Sequence, residues 1–189
     1  MNVYLIADTH FNHSNIKTYC DRPDDFTERI IRNWRRIVQP SDLVIHLGDV
    51  FIGSPAGWKE IYPQLTGRKI LVRGNHDHHS VTWYMENGFD FACDRMEFRG
   101  CTLAHHPPFS GQPNRDRLWI HGHLHNIWHG FHAYGKGPEM EAWQTKRLRF
   151  PWQRLFAIEY TNYMPTNFDK FISHPDRYQA RGPAERAKP

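Results

Sequence analysis

Short apolar runs that end abruptly in polar residues recur along this chain. Such aliphatic runs are typical of buried strands, and five of them span Val3 to Ile6, Leu43 to Leu47, Ile70 to Val72, Cys101 to Ala104 and Leu118 to Ile120. Each run is followed within a few residues by Asp, Asn or His side chains. Because ligands gather beyond the carboxyl ends of strands in α/β sheets, we expect these polar groups to meet at one edge.

Helical spacing predicts three helices. The first follows a polar loop over residues 11–25, starts with Thr27 as its N-cap and ends before Pro40; its apolar face holds Ile30, Ile31, Trp34, Ile37 and Val38. A short helix is predicted from Trp58 to Leu65 and another from Val81 to Glu86. We also expect a hairpin of Phe89 to Phe98 against Cys101 to Ala104, and a last strand over Leu155 to Tyr160.

Length and composition favour one compact domain. The chain has 189 residues, of which 39% are hydrophobic, and none of its apolar runs approaches the ~20 residues that span a bilayer. Met1 is followed almost at once by a strand, without the pattern of a secretory signal. Cys20, Cys93 and Cys101 lack metal-type spacing, which favours a reducing compartment and packing roles. We therefore expect a cytoplasmic protein without a membrane segment.

The last quarter of the chain is basic. Residues 1–142 hold 15 Lys and Arg against 16 Asp and Glu, whereas residues 143–189 hold 9 against 4. Residues 126–153 read as a long loop that mixes aromatic and basic side chains. That mixture suits base stacking and phosphate pairing, although packing over the sheet edge explains it equally well. From residue 166 to residue 189 we expect a basic surface segment, partly disordered.

The polar groups at the strand ends form a metal-binding set. Asp8 and His10 share a side of an extended chain because side chains alternate there, and His123 and His125 have the same spacing. The carboxylate of Asp49 can bridge two metals. These oxygen and imidazole donors suit Mn, Fe, Zn, Ni or Co better than Mg or Ca. Two divalent ions with two carboxylates and a hydroxide would keep a positive charge that attracts phosphate, and such a pair activates water for in-line attack.

Five motifs occur along the chain in a fixed order: D-x-H, G-D-x, G-N-H-D, H with a following proline, and G-H-x-H. This order closely resembles the calcineurin-like metallophosphoesterase superfamily over residues 1–165. The opening D-T-H-F-x-H-x-N-I also looks like its short single-domain branch. The resemblance implies an α/β (α+β) fold, a four-layer α-β-β-α sandwich of two mixed β-sheets flanked by helices.

The resemblance also implies two metal sites. The first would consist of Asp8, His10, Asp49 and His125, and the second of Asp49, Asn75, His105 and His123. His76 would face the phosphate and act as the catalytic proton donor without binding metal. His105 is preferred to His106 because ligands at this block directly follow the strand.

Contacts to the rest of the substrate are less defined. His13 and His78 are the best histidine candidates, and Arg73 is a third candidate that could instead pair with a nearby carboxylate. Asp77 could orient His76 or cap the following helix. The other histidines near the site, including His46 and His121, suit packing roles.

These features predict a dinuclear metal-dependent phosphoesterase, with manganese as the leading metal, in which hydroxide on the metals attacks a phosphate ester. The basic, aromatic C-terminal quarter favours a phosphodiesterase acting on nucleotides or nucleic acid ends. A phosphomonoesterase for small molecules or phosphoproteins is the alternative. A non-catalytic metal-dependent scaffold, binding through residues 126–154, is the alternative of another class.

Overall fold

A computed structural model describes residues 1–108, 117–126 and 152–174. Within these ranges, none of the helices has the length and apolar character needed to cross a membrane. Residues 127–151 and 175–189, which carry most of the basic and aromatic residues discussed above, lie outside the described ranges.

The first sheet has the order β4-β3-β2-β1-β9. Its strands are β1 (Val3–Ile6), β2 (Leu43–His46), β3 (Arg68–Val72), β4 (Phe91–Cys93) and β9 (Thr166–Asn167). The strands β1 to β4 are parallel and β9 runs antiparallel to β1. Ile6 pairs with His46, which pairs with Leu71, so the carboxyl ends of three strands lie side by side.

The second sheet has the order β5-β6-β7-β8. Its strands are β5 (Arg95–Phe98), β6 (Cys101–Ala104), β7 (Leu118–His121) and β8 (Gln153–Leu155). Only β5 is antiparallel to its neighbour. Leu5 and Ile45 of the first sheet share one buried cluster with Leu103 and Ile120 of the second. The two mixed sheets therefore enclose a common core.

The helices flank these sheets. They are α1 (Ile16–Tyr19), α2 (Phe26–Ile37), α3 (Pro55–Ile61), α4 (Val81–Glu86) and α5 (Phe168–Ser173). In α2, Ile30 and Trp34 are almost fully buried, and burial of each such side chain contributes about 1.5–3 kcal/mol. Two mixed sheets with flanking helices confirm the predicted fold class, and α4 has the predicted bounds.

The predicted hairpin is wrong in its first half. Residues 91–93 form β4 beside β3 in the first sheet, and only residues 95–98 pair with β6 in the second sheet. The chain passes from one sheet to the other at Asp94. A local apolar pattern does not show which sheet a segment joins, because that choice depends on distant partners.

Several predicted boundaries also differ. The helix α2 starts one residue before Thr27, with Asp25 at its N-cap and no side-chain cap, and α1 interrupts the predicted loop over 11–25. The helix predicted from Trp58 begins at Pro55, where Ser54 accepts a hydrogen bond from the Gly57 amide, and it ends in a short 3-10 turn, Tyr62–Gln64.

The last strand and the C-terminal segment also depart from the prediction. The strand expected over 155–160 is β8 (Gln153–Leu155), followed by a 3-10 turn, Ile158–Thr161. Residues 166–173 are not a surface segment, because β9 pairs with β1 and both Phe168 and Phe171 are buried. The prediction followed the average composition of residues 166–189 and so overlooked Phe168 and Phe171, which belong to the core.

Candidate metal centre

The predicted ligands lie at the joined ends of the two sheets, on turns with unusual backbone geometry. Asp8, His10, Asp49, His123 and His125 have positive φ angles of 52°, 47°, 57°, 72° and 48°. This left-handed region is uncommon for residues other than glycine and is concentrated at functional sites. The argument that Asp8 and His10 share one side of an extended strand is therefore wrong, although the turn still brings both inward.

Backbone hydrogen bonds hold these turns together. The amide of Asp8 donates to the Gly48 carbonyl at 2.9 Å, and the amide of His10 donates to the Asp49 carbonyl at 3.0 Å. The amide of His123, from the second sheet, donates to Asp8 Oδ2 at 3.0 Å. The turns after β1, β2 and β7 thus form one hydrogen-bonded unit, which holds the predicted ligands relative to one another.

Asp49 lies at the middle of the cluster. Its Oδ2 atom is 3.6 Å from His10 Nε2 on one side and 3.3 Å from His105 Nε2 on the other. Its Oδ1 atom accepts a hydrogen bond from the His76 amide at 2.9 Å. One carboxylate oxygen thus faces both groups of histidines, as a bridging ligand would.

The first group consists of Asp8, His10 and His125, whose potential ligand atoms lie within 4.8 Å of one another. His125 Nε2 is 3.8 Å from Asp8 Oδ1. Among the residues that the structure describes, neither ring nitrogen of the buried His10 has a hydrogen-bond partner, which is costly for buried polar atoms unless an ion or water satisfies them. These residues fit a divalent cation.

The second group consists of His105, Asn75 and His123. His105 Nε2 is 3.0 Å from Asn75 Oδ1 and 3.2 Å from His123 Nδ1. The opposite nitrogen, His105 Nδ1, lies 2.8 Å from the Leu47 carbonyl. This contact orients the ring so that its Nε2 atom points into the cluster.

His106 also adjoins this group, since its ring centre is 4.3 Å from that of His123 and the two form a compact trio with His105. The nitrogen 3.3 Å from Asp49, however, belongs to His105. The geometry therefore favours His105 as the partner of the bridging carboxylate.

The electrostatics of the cluster favour a positive charge beside the carboxylates. Burial raises the pKa of Asp8 to about 6. Burial would also raise the pKa of Asp49, but hydrogen bonding and charge from His105 hold it well below its usual range. Burial lowers the pKa of His105, yet Asp49 and Asp8 outweigh it and raise the value to about 9. Burial lowers the pKa of His123 to about 3, which keeps that imidazole neutral.

Asp77 has a role other than the two that the sequence suggested, which were to orient His76 or to cap the following helix. Its buried carboxylate accepts hydrogen bonds from the amides of Asp49 at 2.8 Å, Val50 at 3.0 Å and Gly74 at 2.7 Å. Ser80, not Asp77, caps helix α4. Asp77 thus joins the turn that carries Asp49 to the turn that carries Asn75.

A buried ion pair behind His125 was missed by the sequence analysis. Arg22 donates to Glu159 Oε1 at 2.7 Å and to the Asp8 carbonyl at 2.7 Å, and Glu159 Oε1 lies 3.3 Å from His125 Nδ1. Cys20, interpreted as a small buried hydrophobe, is buried and adjoins His125 and Glu159. Arg22 and Glu159 follow no recognised motif, so only the folded chain shows that they contact His125, a predicted ligand.

Of the predicted substrate contacts, His76 and His13 lie near His10, whereas His78 and Arg73 lie farther from it or pair elsewhere. His76 is exposed and its ring centre lies 5.6 Å from that of His10, while the ring of His13 lies 5.5 Å from His10. The exposed His78 is farther out, 6.2 Å from His76. Arg73 takes the alternative role, because it pairs with Asp94 at 2.5 Å and donates to the His79 carbonyl.

Two buried histidines have packing roles, as the sequence suggested. His46 Nε2 lies 2.9 Å from the Thr9 hydroxyl, and His46 Nδ1 accepts the Gly48 amide. His121 Nδ1 lies 2.8 Å from the Gly122 carbonyl. Burial lowers the pKa of His46 to about 3 and of His121 to about 4, so both stay neutral.

A family model described as calcineurin-like phosphoesterase matches residues 1–179 of this chain. The chain belongs to this family. Its members are metal-dependent phosphoester hydrolases, and the clustered His and Asp side chains agree with divalent metal binding in this one.

The chain is also similar to individual proteins. An uncharacterised protein of Methanocaldococcus jannaschii, MJ1445, is 36% identical over 131 residues, which cover 65% of this chain and 69% of that protein. The gene 66 protein of Mycobacterium phage L5 is 32% identical over 85 residues, 40% of each chain. The crystal structure of a protein of unknown function from Aquifex aeolicus, AQ665, has a TM-score of 0.64 and 26% identity, covering 91% of this chain and 98% of that one.

Proposed function

We propose that this calcineurin-like phosphoesterase is a dinuclear phosphodiesterase that acts on nucleotides or nucleic acid ends. The observation that carries the proposal is the position of Asp49 Oδ2 between His10 Nε2 and His105 Nε2, at 3.6 and 3.3 Å. A carboxylate oxygen that lies between two groups of potential ligands suits two adjacent divalent ions.

The proposed ligands follow from these two groups. Asp8, His10, Asp49 and His125 would hold one ion, and Asp49, Asn75, His105 and His123 would hold the other. Imidazole nitrogens mixed with carboxylate and amide oxygens favour a transition metal, with Mn²⁺ the leading choice and Fe, Zn, Ni or Co as alternatives. Such a pair supplies Lewis acidity and a nucleophile from water at neutral pH.

The residues of the chain would contribute orientation and proton transfer. Asp77 and the backbone bonds of Gly48 and Asp49 hold the ligand turns in place. His76 lies on the exposed side of the cluster, where its imidazole can stabilise phosphate charge and protonate the leaving oxygen. His13, half-buried beside His10 and His76, would contact the phosphate.

Preference for a diester rests on the space beside His105. A cleft of about 560 Å³ borders the centre there; we name it the Trp119 cleft, and its lining includes Arg73, Asp94, Arg95, His105, His106 and Trp119. A diester carries two alcohol groups on its phosphate, and the cleft offers room for the second one.

The test compares two chromogenic esters with Mn²⁺ present. We expect bis-p-nitrophenyl phosphate to be hydrolysed with a kcat/KM at least about tenfold above that of p-nitrophenyl phosphate. The reverse preference would favour the phosphomonoesterase. Specific binding of a partner by the metal-loaded protein, with neither ester hydrolysed, would instead favour a scaffold.

A further inference from the structure

The Trp119 cleft combines an aromatic ring, a positive charge and direct contact with the metal centre. We propose that it binds a nucleobase and an adjoining phosphate, so that the hydrolysed ester belongs to a nucleoside or a nucleic acid strand. The proposal rests on the phosphodiesterase function, because it assigns one alcohol group of that same substrate.

The position of the cleft relates it to the reaction. His105 lines the cleft while its Nε2 atom lies 3.3 Å from Asp49, so one imidazole borders both the cleft and the proposed metal pair. The volume of about 560 Å³ lies within the range of roughly 300–1,000 Å³ that is typical of small-molecule sites. A substituent on a phosphate at the centre can therefore extend into this space.

Trp119 supplies a ring with a fixed orientation. It is half-buried on strand β7, and its Nε1 atom donates a hydrogen bond to the His106 carbonyl at 3.0 Å. Because the ring is already held, binding a base against it loses little side-chain entropy. Stacking of a base on an aromatic side chain contributes about 1–3 kcal/mol and tolerates any base.

Arg95 supplies an exposed positive charge beside Trp119. Its guanidinium lies over one face of the Trp119 ring, 6.0 Å from the ring centre, and the side chain is exposed. Arg73 already pairs with Asp94, whereas Arg95 makes no ion pair within the part of the chain that the structure describes. The planar donors of a guanidinium suit a phosphate or the face of a base, so Arg95 and Trp119 together fit a nucleotide.

The experiment uses two diesters with the same p-nitrophenolate leaving group. One is the p-nitrophenyl ester of thymidine 5′-phosphate, and the other is methyl p-nitrophenyl phosphate, which differs only in lacking the nucleoside. With Mn²⁺, we expect wild-type kcat/KM to be at least about tenfold higher for the thymidine ester, in line with base stacking. Trp119→Leu should lower this ratio about tenfold through KM, and Trp119→Phe, which keeps a ring, should retain most of it.

Two arginine variants complete the comparison. Arg95→Gln should raise KM for the thymidine ester several-fold. Arg68→Gln removes the same charge at the exposed start of β3, where Arg68 pairs with Asp90, and should leave both esters as in wild type. If Trp119→Leu and Arg95→Gln leave the ratio between the esters at its wild-type value, the cleft does not bind the nucleoside.

Binding measurements separate this proposal from the proposed activity. If wild-type protein hydrolyses neither ester, the phosphodiesterase function is wrong, and calorimetry with thymidine 5′-monophosphate and methyl phosphate then decides the role of the cleft. A nucleotide affinity at least about tenfold higher, lost in Trp119→Leu, supports nucleoside binding. Equal affinities for the two ligands overturn it.

Discussion

At the scale of single residues, the candidate centre depends on a carboxylate placed between two groups of histidines. Asp49 Oδ2 faces His10 and His105, while Asp49 Oδ1 accepts the His76 amide. The two oxygens therefore have different roles. Oδ2 faces the proposed metals, and Oδ1 binds the backbone amide of His76, the proposed proton donor. A change in this one carboxylate should affect both proposed ions.

Replacing Asp49 with Asn tests this bridge. Asn has the same shape but no charge, so the second ion should bind poorly and kcat/KM for bis-p-nitrophenyl phosphate should fall by at least about 10³-fold, since metal stabilisation of the transition state amounts to several kcal/mol. Metal content by mass spectrometry should fall from two ions to one or none. Full activity with two bound ions would show that Asp49 is not the bridge.

A second residue-scale prediction concerns Glu159, which lies 3.3 Å from His125 Nδ1 and pairs with the buried Arg22. Carboxylates behind ligand histidines typically raise metal affinity 10–100-fold. Glu159→Gln should therefore weaken binding of Mn²⁺, measured by calorimetry, by about that factor. Glu97→Gln removes a charge from an exposed pair with Arg117 and should leave Mn²⁺ affinity unchanged; similar losses in both variants would exclude a specific role for Glu159.

The sequence pointed to residues that the fold brings together at the candidate centre, but not to the backbone that positions them. Asp8 and His10 were expected to converge because an extended strand alternates its side chains, whereas both lie in left-handed turns after β1. His123 and His125, two residues apart, face different groups. Arg22 and Glu159 are 137 positions apart, and no local pattern links residues that meet only in the folded chain.

At the scale of elements, the centre requires strand ends that approach very closely. Gly122 follows β7, and a Cβ atom added there would collide with the Asp8 carboxylate and lie 3.0 Å from the Ala7 Cβ atom. Gly74 follows β3, and a Cβ atom added there would collide with the Asp49 carboxylate. These glycines let turns from different strands meet at the ligand carboxylates.

Gly122→Ala tests this close approach. The added methyl group should displace the Asp8 carboxylate, so that Mn²⁺ affinity falls at least about tenfold, because ligand geometry tolerates shifts of only about 0.5 Å. Calorimetry and circular dichroism would measure binding and folding.

The matched change is Gly53→Ala, which adds its methyl group to open space at a φ of +101°. It should cost roughly 1–2 kcal/mol of stability from backbone strain and leave Mn²⁺ affinity intact. If Gly122→Ala binds Mn²⁺ like wild type, the proposed collision does not disturb the ligand.

Element prediction succeeded where local pattern and tertiary environment agree. Three elements have the predicted bounds: Val3–Ile6, Cys101–Ala104 and Val81–Glu86. In each of them the local residue pattern and the buried environment favour the same structure. The run from 89 to 98 failed because its two halves pair with different sheets. The prediction for residues 166–173 failed because Phe168 and Phe171 are buried in the core although the stretch around them is largely polar.

At the scale of the whole molecule, the proposed metals would join the two sheets. Asp8, His10, Asp49 and Asn75 follow strands of the first sheet, whereas His105, His123 and His125 follow strands of the second. The sheets also share one apolar core. Ions bound between them should therefore stabilise the packing of the sheets, and their removal should affect the unfolding of the whole chain.

Metal removal tests this coupling through thermal unfolding. A ligand at 100 times its Kd that binds only the folded state adds about 2.7 kcal/mol, and 1 kcal/mol shifts Tm by about 2–4 °C for a domain of this size. Mn²⁺ added to chelator-treated protein should thus raise Tm by about 5–10 °C for each ion bound at that excess. Mg²⁺ should raise it less, because imidazole donors suit Mn²⁺ better, and Asp49→Asn should lose at least half of the Mn²⁺ effect. An equal rise in wild type and Asp49→Asn would mean that Mn²⁺ binds elsewhere on the protein.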